Sequence, residues 1–292
     1  MARIAFIGLG IMGSPMAVHF HNAGHQVVGY NRTPAKTKAL VEAGGTAAAS
    51  VSEAVADADV VALMVTDTPD VVEVLTGAGG VFETAKPGTL IIDFSTIRPD
   101  VTADLAAQAR SRGLRMVDAP VSGGEVGAQN ATLSIMVGGT EEDFAAARPF
   151  LEVVGKTIVH VGPSGSGQTV KAANQLIVAG HLAVLAEAIV FLEAYGVDVS
   201  AALDVLGGGL ARSAIMEHKA ELMRRRSFTP GFRLDLHHKD LGIVTTAARE
   251  AGVVIPVAAA AAQLIAAARA NGDGDLDHSA LFRTIARLSG RD

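Results

Sequence analysis

An apolar run, Arg3-Ile4-Ala5-Phe6-Ile7, passes without a break into Gly8-Leu9-Gly10-Ile11-Met12-Gly13 and then into a helical pattern over Met12 to Asn22. Three glycines at that spacing between a strand and a helix leave few possible architectures. The first permits a tight turn, the second lets another molecule approach the backbone, and the third lets helix and strand pack closely. The free N–H groups at the start of the helix, and its positive end, then suit a pyrophosphate. GxGxxG is a weak pattern by itself, but inside a strand–turn–helix–strand unit it indicates dinucleotide binding. The alternative is a plain tight turn in another kind of α/β protein.

The first half keeps that rhythm. Apolar or β-branched runs at Arg3–Ile7, Gln26–Tyr30, Val60–Val65, Thr89–Asp93 and Arg115–Asp118 alternate with helical patterns over Met12–Asn22, Pro34–Ala43, Pro69–Leu75 and Pro99–Arg112. Such alternation predicts a mostly parallel sheet covered on both faces. A strand at Thr132–Val137, a helix at Glu141–Val153 and a strand at Thr157–Val161 extend it. After Gly167 the period changes: Gln168 to Tyr195 reads as one helix of about 42 Å at the usual rise, and helices follow at Val199–Leu206, Ser213–Arg226, Leu234–Ala251, Pro256–Ala270 and His278–Leu288. The expectation is a Rossmann-type α/β domain over residues 1–163, then an all-α domain over 164–292 that begins with a long interdomain helix. A helix apolar around so much of its surface needs several neighbours, so a homo-oligomer, dimer or tetramer, is expected.

Composition narrows the function. A net charge of −6 and an apolar share of 49% argue against a nucleic-acid partner. With no Cys, thiolate zinc sites, iron–sulfur clusters and cysteine nucleophiles are excluded, and the chain suits a reducing cytoplasm. The nine His show no HExxH spacing and stand beside no acidic cluster at ligand intervals, so metal-free chemistry is expected. His181 and Glu187 interrupt the most membrane-like stretch, Leu176 to Leu192, which reads as a buried helix. Asn271-Gly272-Asp273-Gly274-Asp275 lacks the ligand positions of a calcium loop and reads as a solvated turn.

Three segments carry chemistry. At the end of the second strand, where an acidic side chain would hold the ribose hydroxyls of NAD, stands Asn31-Arg32-Thr33, which offers a guanidinium to a 2′-phosphate. NADP is expected, and Arg32 stacked on adenine would leave NAD possible. Met64 and Val65, ending the Val60–Val65 run, are expected along the same cofactor cleft. Lys171 lies near the start of the long helix, with Asn174 and Gln175 three and four residues on; an ammonium there is either a surface lysine or a donor to a developing oxyanion. Asp118-Ala119-Pro120-Val121-Ser122-Gly123-Gly124 ends a strand with a hydroxyl and small-residue amides, a turn that also suits a carboxylate.

On four motifs the chain resembles the β-hydroxyacid dehydrogenases over nearly its whole length. These are Phe6 to Gly13, Asp118 to Gly124, Gly165 to Gln175 around Lys171, and Lys239-Asp240-Leu241. The resemblance implies that Lys171 is catalytic and that Ser122, Gly123 and Gly124 receive a substrate carboxylate. It further implies that Asn174 and Gln175 organise Lys171, that Phe232 and Asp240 reach the substrate, and that Thr96 and Lys239 lie against the nicotinamide. Gly8, Leu9, Gly10, Ile11, Met12 and Gly13 would cradle the cofactor. The substrate implied is a small 3-oxo or 3-hydroxy carboxylate. Gly207 to Ala211, Pro230 to His237 and Asp277 to Leu281 point towards the branch acting on tartronate semialdehyde. Alternatives are 3-hydroxyisobutyrate, glyoxylate or succinic semialdehyde, or a non-enzymatic dinucleotide sensor.

Overall fold

The computed structural model describes residues Met1 to Arg291, which form two compact units, Met1–Lys171 and Ala172 onward. The first contains nine strands: β1 (Arg3–Ile7), β2 (Gln26–Tyr30), β3 (Thr46–Ala47), β4 (Val60–Leu63), β5 (Leu90–Asp93), β6 (Arg115–Asp118), β7 (Val121–Ser122), β8 (Leu133–Gly138) and β9 (Gly155–Gly162). They make one sheet in the order β3-β2-β1-β4-β5-β6-β8-β7, with β9 paired to β8. From β3 to β6 every pairing is parallel, as the alternating pattern predicts; β8 runs antiparallel to β6 and β7, and parallel to β9.

Helices α1 (Gly13–Asn22), α2 (Lys38–Glu42), α3 (Val51–Val55), α4 (Thr68–Thr76), α5 (Val81–Thr84), α6 (Pro99–Ser111), α7 (Gly124–Gln129) and α8 (Glu141–Val154) connect the strands. Alternate residues of the parallel strands feed two buried clusters. Ile4, Phe6, Ala62 and Ile92 pack with Met16 and Phe20 of α1, and Ala5, Ile7, Val61 and Ile91 pack with Val71, Leu75 and Leu105. This inward burial on both sides is why the strands read as continuous apolar runs.

Differences from the sequence expectation lie where the local signal is short. Pro34–Ala43 divides into a 3-10 turn (Pro34–Thr37) and α2. The fourth strand stops at Leu63, leaving Met64 and Val65 in the following loop. The two-residue strands β3 and β7 and the short helices α3, α5 and α7 span too few residues to show a period.

The second unit is helical. The long helix α9 (Ser166–Ala194) begins in the first unit and is followed by α10 (Val199–Gly207), α11 (Ala214–Arg224), α12 (Leu234–Glu250), α13 (Pro256–Ala268) and α14 (Leu281–Leu288). Leu182, Leu185, Ala186 and Ile189 of α9 form a core with Met223, Leu241, Ile265 and Phe282. Among the described residues α9 alone is long and apolar enough to cross a membrane, and 44% of its most apolar window is buried inside the protein. Its other face is not covered: Ile177, Val184 and Phe191, seven residues apart, are each more than half exposed. The 271–275 segment departs from a solvated turn. Arg269–Asp273 is a π-helical turn, Gly272 takes φ +87°, and the buried Asp273 carboxylate accepts from Arg283 Nη1 at 2.7 Å.

Candidate active site

The glycine turn is built by steric necessity. Gly8 has φ +98°, and a Cβ there would lie 2.2 Å from the Met64 carbonyl oxygen; one on Gly13 would lie 1.9 Å from that of Gly8. At Gly10 a Cβ would meet no protein atom within 4 Å. That contrast fits a cradle: two glycines close the fold and the middle one faces open space. A cavity of about 150 Å³ beside the turn is lined by Gly8, Gly10, Tyr30, Asn31, Arg32, Met64, Val65 and Asp70, among others. The residues present therefore suit a dinucleotide.

Within this cradle the sequence-selected residues divide by job. Leu9 is fully buried in the core, and its N–H donates to Asn31 Oδ1 at 2.9 Å. Asn31 Nδ2 donates to the Thr33 carbonyl at 3.1 Å, so this amide staples the end of β2 to the glycine turn. Gly10 and Ile11 are exposed at the turn, Met12 is half-buried, and Thr33 is exposed ahead of the 3-10 turn. Arg32 Nη1 lies 2.9 Å from Asp70 Oδ1. Sequence reasoning passed over Lys36, four residues after Arg32, which lines a second, open cleft of about 720 Å³ with Gly10, Ile11 and Ser14.

Lys171 and Thr96 sit on parts of the first unit joined by one buried side chain. Gln168, three residues before Lys171 on α9, donates from Nε2 to the Ser95 carbonyl at 2.7 Å and accepts from the Ile97 N–H at 3.1 Å. It thereby grips the backbone on both sides of Thr96. Ser95 in turn accepts from the Val65 N–H through Oγ at 3.0 Å, and its own N–H donates to Asp93 Oδ1 at 2.9 Å. Asp118, at the end of β6, accepts from the Gly165 N–H at 2.8 Å and the Gln168 N–H at 3.0 Å, which caps the start of α9 with a carboxylate. Burial pushes the Asp118 carboxyl up, against the pull of those amide donors. Gly167 is required here, since a Cβ would lie 2.4 Å from the Met136 carbonyl oxygen. Lys171 itself is only 8% exposed. It is therefore not a surface lysine.

Ser122 pairs with Ser134 in the β7–β8 register and is half-buried. Gly123 (φ +133°) and Gly124 (φ +61°) follow in conformations that favour glycine, both exposed at the start of α7. The turn thus offers a hydroxyl and bare amides side by side. Such a surface can grip a carboxylate.

In the helical unit Asn174, Gln175, Lys239 and Asp240 form one chain of polar contacts. Asn174 Nδ2 donates to Gln175 Oε1 at 2.8 Å, Gln175 Nε2 donates to Asp240 Oδ2 at 2.5 Å, and Lys239 Nζ lies 2.8 Å from Asp240 Oδ1. Phe232, in the same unit, is edge-on to His237 and His278 with ring centroids at 5.8 and 5.3 Å. The Gly231 and Phe232 N–H groups both donate to the buried Asp277 at 3.0 Å, and Lys219 Nζ donates to the same carboxylate at 2.8 Å. His237 Nδ1 stands 3.1 Å from His278 Nδ1, and burial, with His237 and Lys219 nearby, holds His278 well below the usual imidazole range. Arg212 is exposed and pairs with Glu217, the reading of a solvated arginine at a helix start.

A glycine cradle on a Rossmann-type sheet suits NAD(P), and comparison with known proteins identifies an NAD(P)-dependent oxidoreductase. Residues 3–165 match the family described as the NAD binding domain of 6-phosphogluconate dehydrogenase, and residues 165–285 match that described as NAD-binding of NADP-dependent 3-hydroxyisobutyrate dehydrogenase. The chain is 41% identical to the 2-hydroxy-3-oxopropionate reductase of Escherichia coli (strain K12), over 97% of both chains. It is 38% identical to the 2-(hydroxymethyl)glutarate dehydrogenase of Eubacterium barkeri, over 99% of this chain and 96% of that one. Among solved structures, Mycobacterium tuberculosis 3-hydroxyisobutyrate dehydrogenase with L-serine superposes at a TM-score of 0.88 with 36% identity, covering 98% and 99% of the two chains. This chain belongs to the 3-hydroxyisobutyrate dehydrogenase-related family, whose members act on small hydroxy- or oxo-carboxylates.

Proposed function

We propose that the protein reduces tartronate semialdehyde to glycerate, reversibly, with NADPH preferred to NADH. The observation that carries this reading is the buried Lys171 on a helix start fixed by Asp118 and Gln168, in the unit that also holds the glycine cradle and Thr96. The 41% identity to a 2-hydroxy-3-oxopropionate reductase supports the substrate. Asn31 in the place of an acidic ribose ligand, followed by the Arg32 guanidinium, supports the cofactor.

When bound, the reduced nicotinamide supplies the hydride that the aldehyde carbon takes up. Gly10, Ile11 and Met12 offer backbone to the pyrophosphate, Arg32 offers charge to the ribose phosphate, and Thr96 and Lys239 carry the nicotinamide contacts that the family resemblance implies. Lys171 donates its Nζ proton to the aldehyde oxygen as that oxygen becomes a hydroxyl, and takes a proton back in the oxidative direction. Ser122 and the amides of Gly123 and Gly124 hold the substrate carboxylate, so an aldehyde without that acid loses its orientation. Asn174, Gln175, Phe232 and Asp240 are assigned to the substrate side.

A second reading, oxidation of 3-hydroxyisobutyrate or a related 3-hydroxy acid, draws support from the 0.88 TM-score with the Mycobacterium tuberculosis enzyme. An initial-rate panel of tartronate semialdehyde, succinic semialdehyde, glyoxylate, 3-hydroxyisobutyrate and an uncharged aldehyde, each with NADP(H) and NAD(H), separates the two. The proposal expects the highest kcat/KM with tartronate semialdehyde and NADPH. A uniformly slow panel would return the protein to a cofactor-binding sensor. We also assign the exposed Ile177–Val184–Phe191 stripe of α9 to a homo-oligomer contact, which light scattering against a Val184→Glu variant checks.

A further inference from the structure

We propose that Asp70 is a second determinant of cofactor choice, a carboxylate that Arg32 leaves when a 2′-phosphate arrives and that accepts from the free 2′-hydroxyl when there is none. The proposal rests on the dinucleotide reading above and deepens it. In sheets of this type the ribose hydroxyls are held by an acidic residue at the end of the second strand. Here that place holds Asn31, and its amide is committed within the protein, accepting from Leu9 N–H and donating to the Thr33 carbonyl. The acidic group has moved to another element.

Two carboxylates line the 150 Å³ cavity, Asp70 and Glu73, both on α4. Glu73 Oε1 is turned towards Gly77 at the far end of that helix, 2.6 Å from where a Gly77 Cβ would stand. Asp70 lies in the first turn, is largely covered (23% side-chain exposure), and faces Arg32 across 2.9 Å. Arg32 is the more exposed partner: its side chain is 76% exposed, and its Nη1 is the atom nearest the carboxylate. A pair like this is weak in water, so exchanging it is easy. A 2′-phosphate brings about −1.5 to −2 charges and three acceptor oxygens, against one charge on Asp70, and so outcompetes it for the guanidinium. With NAD, the ion pair stays closed and Asp70 remains an acceptor for a ribose hydroxyl. One pair then serves either cofactor, at the cost of electrostatic repulsion between Asp70 and the phosphate.

The test is calorimetric binding of 2′,5′-ADP and of 5′-AMP, fragments that differ only at the 2′ position, to the wild-type protein and to Asp70→Asn and Asp70→Ala variants. Both variants should bind 2′,5′-ADP more tightly, by about fivefold at low salt, with the gain shrinking as ionic strength rises. They should bind 5′-AMP more weakly, Asp70→Ala by about fivefold and Asp70→Asn by less because its amide oxygen still accepts. Opposite signs on two fragments cannot come from a damaged fold, which would weaken both. Unchanged affinities, or parallel losses, would overturn the role of Asp70 while leaving the cofactor reading intact. A wild-type protein that bound neither fragment would overturn both.

Discussion

Gln168→Leu isolates the contact that ties the Thr96 loop to the helix carrying Lys171. Gln168 is 1% exposed and satisfies two backbone groups, the Ser95 carbonyl and the Ile97 N–H. Leucine fills a similar volume but offers neither a donor nor an acceptor. Stranding a buried backbone group costs about 1–3 kcal/mol, so two cost about 2–6 kcal/mol, and the added apolar burial returns about 1 kcal/mol. A net loss of about 3 kcal/mol corresponds to a drop in melting temperature of about 6–12 °C for a chain of this size. Circular dichroism melting measures it, with the exposed Gln108→Leu on α6 as the control expected to stay within about 0.5 kcal/mol of wild type. The loosened loop should also raise the KM for NADPH. A Gln168→Leu protein melting within about 2 °C of wild type, with its NADPH KM unchanged, would refute the reasoning, because the two backbone groups would then have found other partners at no cost.

Two further variants test neighbouring parts of the account. Gly10→Ala should leave the melting temperature nearly unchanged but weaken NADPH binding at least about tenfold, whereas Gly13→Ala should lose about 3 kcal/mol of stability through its collision with the Gly8 carbonyl; equal melting losses in the two would contradict the cradle. For pH, His278 is held below its ordinary 6.5, so the unfolded chain binds its proton more readily and stability falls as pH drops below about 6.5. A single such group contributes a slope of up to about 1.4 kcal/mol per pH unit, which His278→Gln should remove from chemical denaturation curves between about pH 6.5 and 5; an unchanged acid limb would count against the buried neutral histidine.

The sheet and the helical unit were readable because each rests on a local repeat. Ile4, Phe6 and Val61 lie in runs buried on both faces, and Leu182, Leu185 and Ile189 recur at helical spacing. The glycine turn was readable because sterics dictate it residue by residue. Gln168, Asp118 and Ser95 left no such trace: their partners lie 73, 47 and 30 residues away, and no pattern in a window of twenty residues encodes a hydrogen bond over that separation. Asp70 was hidden for the same reason, its partner being on another strand–helix unit. Asn31 shows a subtler limit, since its position named it for the cofactor while its amide serves the glycine turn. Asp273, in a stretch rich in Gly and Asp, reads as solvated until Arg283 is folded against it.

The central claim is that Lys171 supplies the proton to the substrate oxygen, and the most direct test is the turnover of Lys171→Ala with NADPH and tartronate semialdehyde, read beside NADPH affinity. The account predicts a fall in kcat of about 10²–10⁴-fold, with the Kd for NADPH and the melting temperature close to wild type. Turnover within about tenfold of wild type, in a variant that is folded and binds NADPH, would contradict it.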